Sequence, residues 1–211
     1  MRRTLRELSP VFVVGAGWHP YQAASETTYV ELGLTAVREA LADAGIAWSA
    51  VDSTYVGTAL LGMAPGRGML KHLGTNDKPL VHIENASASG SAAFRHACIE
   101  VASGMADVAL VVGVDKPQPR WHRANTGIQG LADDAIVPFT HFALLTDSYA
   151  RRHDVSAEDI ALVAVKNHRN GAANPNAQRQ QVLTLDEVLG GRPVSGSLTS
   201  LQCCPVGEGA A

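Results

Sequence analysis

The feature that most constrains the fold is a continuous apolar run from Val108 to Val114. A run of this kind, without polar alternation, is typical of a central strand that is covered on both faces. Two more strands are predicted before it, at Ser53 to Thr58 and at Leu80 to Ile83. Because helical patterns separate these strands, we expect an α/β layered fold with helices packed on a mainly parallel mixed sheet.

The clearest helical pattern runs from Thr27 to Ala44 and ends at Gly45. Its apolar residues recur at helical spacing, at Val30, Leu34, Val37, Leu41 and Ala44. That spacing places them on one face of an amphipathic helix, and a glycine after the last of them is a usual stop.

The remaining elements are predicted from shorter signals. Val11 to Val14 predicts a buried strand that a Gly15-Ala16-Gly17 turn ends. Helices are expected around Met69, along a face that carries Phe94, Ala97, Cys98 and Val101, from Phe139 to Arg152, and from a capping-box-like Ser156 to His168. His168, at the end of its helix, is expected to cap carbonyls.

Composition excludes several classes of protein. The chain has 211 residues, a net charge of -3 and a pI near 6.2, so it has no broad cationic surface for nucleic acid or an anionic membrane. Three cysteines make a disulfide framework improbable, which favours a reducing cytoplasm. The apolar stretch from Pro10 to Ala16 is too short for a signal sequence or a membrane span.

Three familiar motifs fail on inspection. A dinucleotide fingerprint that starts at Gly15 would need a third glycine where Pro20 stands. Ser87 has alanines on both sides, so it is not in a hydrolase nucleophile elbow. No two histidines stand at i and i+4 with a carboxylate, as a helical metal motif requires, and adjacent Cys203 and Cys204 lack ligand spacing, so no metal site is predicted.

One segment remains as a candidate site, the strand-elbow-helix from Asn85 to Ser91. Small side chains there let a ligand approach the backbone, and the first N–H groups of the helix carry partial positive charge that can hold a thioester oxyanion. The alternative is that Ser87, Ser89 and Gly90 form a polar N-cap, and the local pattern alone favours it.

Three stretches together resemble the sterol-carrier-protein type of thiolase, a branch of the thiolase superfamily that also includes bacterial lipid-transfer-protein aldolases. They are Val11-Phe12-Val13-Val14-Gly15, the region from Lys166-Asn167-His168 through Asn174-Pro175 to Leu185-Asp186-Glu187-Val188, and Leu198-Thr199 to Leu201-Gln202-Cys203-Cys204-Pro205 with Gly207-Glu208-Gly209-Ala210-Ala211. The resemblance implies a layered fold of two similar halves, a loop domain that covers coenzyme A, and a dimer across the central strands. It also implies chemistry on carbon–carbon bonds beside a thioester, with no permanently bound cofactor and a coenzyme A thioester as substrate.

In thiolases of this type the residue at the elbow is a cysteine that takes the acyl group, and the matching position here is Ser87. A serine hydroxyl needs an adjacent base to act as a nucleophile, and the sequence shows none. Cys98 is no substitute because it lies roughly 16 Å further along the helix, and it is interpreted as core packing. Cys203 and Cys204 are interpreted as part of a structural turn, with burial the commoner case.

These observations leave three hypotheses open. The first is retro-aldol cleavage of a β-hydroxyacyl-CoA with a lipid or steroid side chain, which needs a base and oxyanion donors but no covalent intermediate. The second is a non-catalytic thiolase-like subunit that pairs with an active partner, and the third is a thiolase whose cysteine has been replaced by Ser87. Trp121, His122 and Arg123 are candidates for contact with an acyl-CoA or for surface packing in the loop region.

Together with the length of the chain, the resemblance predicts how the chain is divided into domains. It divides the chain into an N-terminal core at 1–115, an inserted loop region with helices at 116–197, and a return segment at 198–211 that leads to the next core strand. The chain then corresponds to the first half of a two-half fold. An open sheet edge is costly, so we expect a homo- or hetero-oligomer with a thiolase-like chain or a longer parent chain.

Overall fold

The computed structural model describes residues 7–74, 77–117 and 138–211. The helices are α1 (Tyr29–Ala44), α2 (Pro65–Leu70), α3 (Ser89–Ala102), α4 (Pro138–His153), α5 (Ala157–Ala172) and α6 (Leu185–Leu189). The strands are β1 (His19–Gln22), β2 (Ser53–Gly57), β3 (Leu80–Ile83), β4 (Ala109–Asp115), β5 (Pro193–Ser195), β6 (Leu198–Thr199) and β7 (Glu208–Ala210). Single 3-10 turns cover Trp48–Ala50 and Lys71–Leu73.

The chain divides into two compact units. The first comprises Met1–Gln118 and Gly207–Ala211, and the second comprises Pro119–Val206. In the first unit, five strands form a sheet in the order β1-β7-β4-β2-β3. β2 pairs in parallel with both β3 and β4, whereas β7 is antiparallel to β4 and to β1. The expected mixed sheet with helices packed on it is therefore confirmed.

Helices cover both faces of β4. On one face Leu110 and Val112 pack in a buried cluster with Leu32 and Val37 of α1 and Met69 of α2. On the other face α3 packs its buried Ala93 and Ala97 against the sheet, with Tyr55 of β2 and Val111 of β4. The alternation of side chains along β4 between these two clusters explains why its sequence is apolar throughout.

Capping groups fix the helix ends that the sequence predicts. The side chain of Thr28 accepts a hydrogen bond from the N–H of Glu31 at the start of α1, and Gly45 takes a left-handed φ of 66° at its end. At α5, the Ser156 side chain and the Asp159 side chain each accept from the other's backbone N–H. These contacts satisfy N–H groups that have no partner within the helix, so the predicted boundaries are confirmed to within a few residues.

The prediction of a buried strand at Val11 to Val14 is wrong. This stretch forms no strand, and Phe12 and Val13 are 76% and 69% exposed. Nor do Gly15 and Gly17 form a turn, because they pack against α1 and the chain continues into β1. The apolar pattern is real, but burial also needs a neighbouring strand, and no described strand pairs with this stretch.

The second unit consists of helices and a short hairpin. β5 and β6 pair antiparallel, and the Asp147 carboxylate of α4 accepts a hydrogen bond from Ser197 in the hairpin. Val188 of α6 is fully buried, and its carbonyl accepts a hydrogen bond from the Thr199 hydroxyl at 2.7 Å. Across the described ranges, no helix combines the length and the apolar character that a bilayer crossing requires.

A buried charge cluster holds β7 in the first unit. The Glu208 carboxylate is fully buried and accepts hydrogen bonds from Lys116 at 2.6 Å, Ser25 at 2.6 Å and Gln22 at 2.9 Å. Burial by itself raises the pKa of Glu208, but these donors outweigh it and bring the pKa from 4.5 to about 2. The charged form therefore stabilises the fold.

Replacing this carboxylate tests its contribution to stability. A pKa that falls from 4.5 to about 2 on folding corresponds to about 3 kcal/mol, so Glu208→Gln should lower the free energy of unfolding at pH 7 by an amount of that order. Because the folded pKa is depressed, this stability is present above about pH 4.5 and is lost as the pH falls toward 2. Urea unfolding across that pH range measures it.

The control for this variant is Glu26→Gln, which changes an exposed carboxylate. Its effect at pH 7 should stay within about 0.5 kcal/mol. A gap between wild type and Glu208→Gln that does not shrink on acidification would contradict the assignment.

Two paired glycines, Gly57 of β2 and Gly113 of β4, differ in how closely α3 approaches them. A Cβ on Gly57 of β2 would lie 2.7 Å from the Ser89 carbonyl oxygen and 2.9 Å from the Gly90 Cα. Gly113 of β4 is the residue that pairs with Gly57. A Cβ on Gly113 would have no neighbouring atom closer than 3.9 Å. The start of α3 therefore lies directly on the end of β2, and only Gly57 permits this approach.

This asymmetry predicts opposite outcomes for two matched substitutions. Gly57→Ala should destabilise the protein by about 1–3 kcal/mol because α3 must move away from the sheet. Gly113→Ala should be neutral or slightly stabilising because alanine restricts the unfolded chain more than glycine does. Thermal unfolding compares the two, and equal losses at both positions would refute the close contact.

Candidate active site

The elbow between β3 and α3 is a tight turn that a serine holds closed. Ala86 has a left-handed φ of 46°, which costs a non-glycine residue about 1–2 kcal/mol. The hydroxyl of Ser89, only 4% exposed, donates to the Ala86 carbonyl at 2.7 Å and accepts from the Asn85 N–H at 2.8 Å. Ser89 is thus the residue that maintains the elbow, a role that the sequence did not reveal.

Ser87 lies at the exposed tip of this elbow. Among the described residues, no group forms a hydrogen bond with its hydroxyl, and the nearby Glu84 carboxylate instead accepts the Ala86 N–H at 2.6 Å. The residue at the N-cap of α3 is Ala88, which provides no side-chain cap. The expectation that Ser87 and its neighbours form a polar N-cap is therefore wrong.

The first turn of α3 presents backbone donors beside Ser87. In the described ranges no acceptor is found for the N–H groups of Gly90 and Ser91, whereas the N–H of Ala92 already bonds to the Ala88 carbonyl at 2.9 Å. The Ser91 hydroxyl donates to the same Ala88 carbonyl at 3.0 Å. A helix N-terminus with unsatisfied N–H groups stabilises negative charge, so this turn can hold an oxyanion.

The loop after β2 is fixed at the same edge of the sheet, because the carboxyl ends of the parallel strands meet there. Asp115, at the end of β4, accepts hydrogen bonds from the Thr58 hydroxyl at 2.7 Å and from the N–H groups of Ala59 and Leu60. Its carboxylate is therefore engaged in holding this loop. In chemical terms it is a structural acceptor rather than a free base.

His82 on β3 is also engaged structurally. Its Nε2 accepts a hydrogen bond from the Gly66 N–H at 3.0 Å, and burial lowers the pKa of the ring. The neutral ring is the form that accepts this bond. His82 therefore supports α2.

The three cysteines differ in exposure. Cys98 is half-buried in the third turn of α3, where it lines a cavity of about 300 Å³ with residues 8–11 and Ile99. In the second unit Cys203 and Cys204 are free thiols, and Cys204 is exposed, so the expected burial is wrong for it. Burial, followed by the neighbouring Cys204, raises the pKa of Cys203, which leaves it a protonated and weakly reactive thiol.

The remaining predicted residues are His168, which belongs to the second unit, and three residues outside the described ranges. His168 lies within α5 rather than at its end, and its Nδ1 is buried with no hydrogen-bond partner among the described residues, so the capping prediction is wrong. Trp121, His122 and Arg123 fall outside the described residues. Within the ranges that the structure covers, no group of three or more potential metal ligands is found.

Comparisons with known proteins bear on this arrangement. The N-terminal domain model of the thiolase family matches residues 11–188. Sterol carrier protein 2 of Gallus gallus is 34% identical over 219 residues, which cover 95% of this chain and 40% of that protein. Benzoylsuccinyl-CoA thiolase subunit BbsB of Thauera aromatica is 32% identical over 209 residues, covering 95% of this chain and 53% of that subunit.

Solved structures agree with the sequence matches. The Ltp2-ChsH2(DUF35) aldolase superposes with a TM-score of 0.73 at 25% identity, over 93% of this chain and 53% of that chain. A monomeric SCP2-thiolase-like protein type 1 from Mycobacterium smegmatis has a TM-score of 0.69 at 20% identity, over 93% and 42%. The chain thus spans about two fifths to one half of the length of these relatives. It belongs to the thiolase family and corresponds to the N-terminal domain of that family.

Proposed function

We propose that this chain provides the N-terminal half of an enzyme that cleaves a carbon–carbon bond in an acyl-CoA thioester by a retro-aldol reaction. The observation that carries the proposal is Ser87, an exposed hydroxyl at the elbow with no base hydrogen-bonded to it in the described part of the chain. Such a hydroxyl is a poor nucleophile but a competent hydrogen-bond donor. Sequence identity to a solved aldolase complex supports the same reaction class.

The proposed reaction needs no covalent bond to the enzyme. A base removes the proton from the β-hydroxyl of the substrate, the bond between Cα and Cβ breaks, and a carbonyl product leaves. The electron pair of the broken bond forms the enolate of the remaining thioester, which a proton then converts to the shorter acyl-CoA. The N–H groups of Gly90 and Ser91 and the hydroxyl of Ser87 are the donors that this chain offers to the enolate oxygen.

The second unit has a groove that suits a coenzyme A thioester. Its volume is about 470 Å³, and it lies between α4 and α5 with Leu145, Tyr149 and Ile160 on its walls. Arg152 and His153 line it as well. Apolar walls would accommodate an acyl chain or pantetheine arm, and the guanidinium would pair with a phosphate.

A non-catalytic role beside an active partner is the second candidate. Two observations favour it, since BbsB is named as a subunit and the Ltp2 aldolase is named together with a DUF35 partner. In that case the elbow would keep its shape through Ser89 and Gly57 without turning over substrate. Both candidates require the rest of the fold, supplied either by a thiolase-like chain or by a longer parent chain.

An assay with two substrates separates these functions. The assembled protein is incubated with a β-hydroxyacyl-CoA and, separately, with a 3-ketoacyl-CoA plus coenzyme A. We expect retro-aldol cleavage of the first and no thiolysis of the second. Thiolysis at an ordinary rate would refute the proposal, and inactivity with both, together with tight association with a thiolase-like chain, would favour the subunit.

Substitution of Ser87 distinguishes a donor from a nucleophile. Ser87→Ala should lower kcat/KM for the β-hydroxyacyl-CoA about tenfold, the loss of one hydrogen bond worth about 1.4 kcal/mol. Ser91→Ala is the matched control, because its hydroxyl donates to the Ala88 carbonyl, and it should leave the rate within about twofold. Loss of a thousandfold or more at Ser87 would identify a nucleophile, and thiolase activity gained in Ser87→Cys would identify a thiolase with a replaced cysteine.

The need for a partner predicts the native mass. Size-exclusion chromatography with light scattering should give the native protein a mass above 22.2 kDa, as an oligomer, as a complex with a thiolase-like chain, or as a longer parent chain. A stable, monodisperse monomer of 22.2 kDa would contradict the proposed association.

A further inference from the structure

One carboxylate at the elbow, that of Glu84, is held by one oxygen and leaves the other oxygen open. Glu84 directly follows β3 and is exposed. Its Oε1 accepts a hydrogen bond from the Ala86 N–H at 2.6 Å. Within the described ranges no partner is found for its second oxygen, Oε2. The carboxylate is therefore fixed in place and still free to accept a proton.

The other ionisable groups at this edge of the sheet are already engaged. Asp115, which ends β4, accepts hydrogen bonds from the loop after β2. Lys116 donates to the buried Glu208 carboxylate at 2.6 Å, and the Nε2 of His82 accepts the N–H that begins α2. Of the described residues that end or directly follow β2, β3 and β4, Glu84 is thus the carboxylate with an open oxygen.

Glu84 belongs to the same compact segment as the donors for the enolate oxygen. The turn that follows it is closed by the Asn85 carbonyl, which accepts the Ala88 N–H at 2.9 Å. A base and an oxyanion donor must each come within about 3 Å of a substrate oxygen, and the two substrate oxygens are joined through only three carbons. Residues 84–91 carry both kinds of group, so one short segment supplies what both oxygens need.

We propose that Glu84 is the general base of the retro-aldol reaction, an inference that rests on the proposed function. Its Oε2 accepts the proton of the β-hydroxyl while the bond between Cα and Cβ breaks and the carbonyl product forms. The electron pair of that bond forms the enolate, which the Ser87 hydroxyl and the N–H groups of Gly90 and Ser91 stabilise. The protonated Glu84 then returns the proton to Cα, so the carboxylate is regenerated and no further reactant is needed.

A purely structural role is the alternative, because polar side chains in turns commonly accept nearby backbone N–H groups. Glutamine at this position separates the two roles. Its amide oxygen still accepts the Ala86 N–H, whereas the amide takes up no proton at neutral pH.

The kinetics of Glu84→Gln test the catalytic role. In the assembled protein this variant should lower kcat for a β-hydroxyacyl-CoA by about a hundredfold to ten-thousandfold, the usual contribution of a positioned base. Because the bond to Ala86 is kept, KM should stay within about threefold and the thermal midpoint within about 2 °C. The matched control is Glu26→Gln, which alters another exposed carboxylate and should leave kcat within about twofold.

Chemical rescue provides a readout that a structural role would not change. Glu84→Ala leaves room for a small carboxylate beside the elbow, so added formate should raise the kcat of this variant at least about tenfold. Formate should not stimulate Glu84→Gln, whose amide still occupies that room. Equal stimulation of both variants would show a general salt effect and would overturn the proposal.

The remaining outcomes separate this inference from the proposed function. If the wild-type assembled protein does not cleave a β-hydroxyacyl-CoA, the proposed function fails and the inference fails with it. If the wild type cleaves it and Glu84→Gln retains kcat within about threefold, Glu84 is not the base but the reaction class stands. Loss of activity without rescue of Glu84→Ala would assign Glu84 to the structure of the elbow.

Discussion

The pairing of β2 with β4 determines the position of every group at the elbow. Gly57, the last residue of β2, pairs directly with Gly113 of β4, and the absence of a side chain at Gly57 lets the start of α3 rest on the sheet. From that contact follow the tight turn at Ala86, the closure by Ser89 and the exposed tip at Ser87. A side chain at Gly57 would displace all of them together, so the elbow is a property of the sheet as well as of its own sequence.

A second constraint acts where the chain leaves and re-enters the first unit. Lys116 lies just after β4 and Glu208 starts β7, and their buried ion pair joins two points separated by the whole of the second unit. The ion pair helps to hold β7 beside β4, where Ala210 pairs with Val114. Loss of either partner would leave the other charge buried and unpaired, which is strongly destabilising. The stability of the sheet therefore depends on the two residues that flank the second unit in the sequence.

Much of the layered fold could be predicted because local patterns carry it. β2, β3, β4, α1, α4 and α5 all follow from apolar periodicity, capping groups or glycine stops within a few residues of each boundary. Val11 to Val14 shows the limit of that reasoning, since the apolar pattern states that a segment can be buried but not whether a neighbouring strand is present. The Glu208 cluster joins residues up to 186 apart and has no local signature. At the site, the resemblance identified Ser87. The closure of the elbow by Ser89 could not be predicted, because it depends on the left-handed backbone of Ala86, for which the sequence has no pattern.

The central claim is that Ser87 stabilises negative charge without becoming acylated. Mass spectrometry of the peptide that contains Ser87 tests this claim most directly. The assembled protein is mixed with an excess of its acyl-CoA substrate, quenched with acid during turnover, and digested to locate any adduct. The account predicts an unmodified peptide containing Ser87 at every time point, because no described residue of this chain offers a base to the Ser87 hydroxyl and the proposed reaction proceeds without a covalent intermediate. An acyl group attached to Ser87 that forms and decays at the rate of turnover would contradict it.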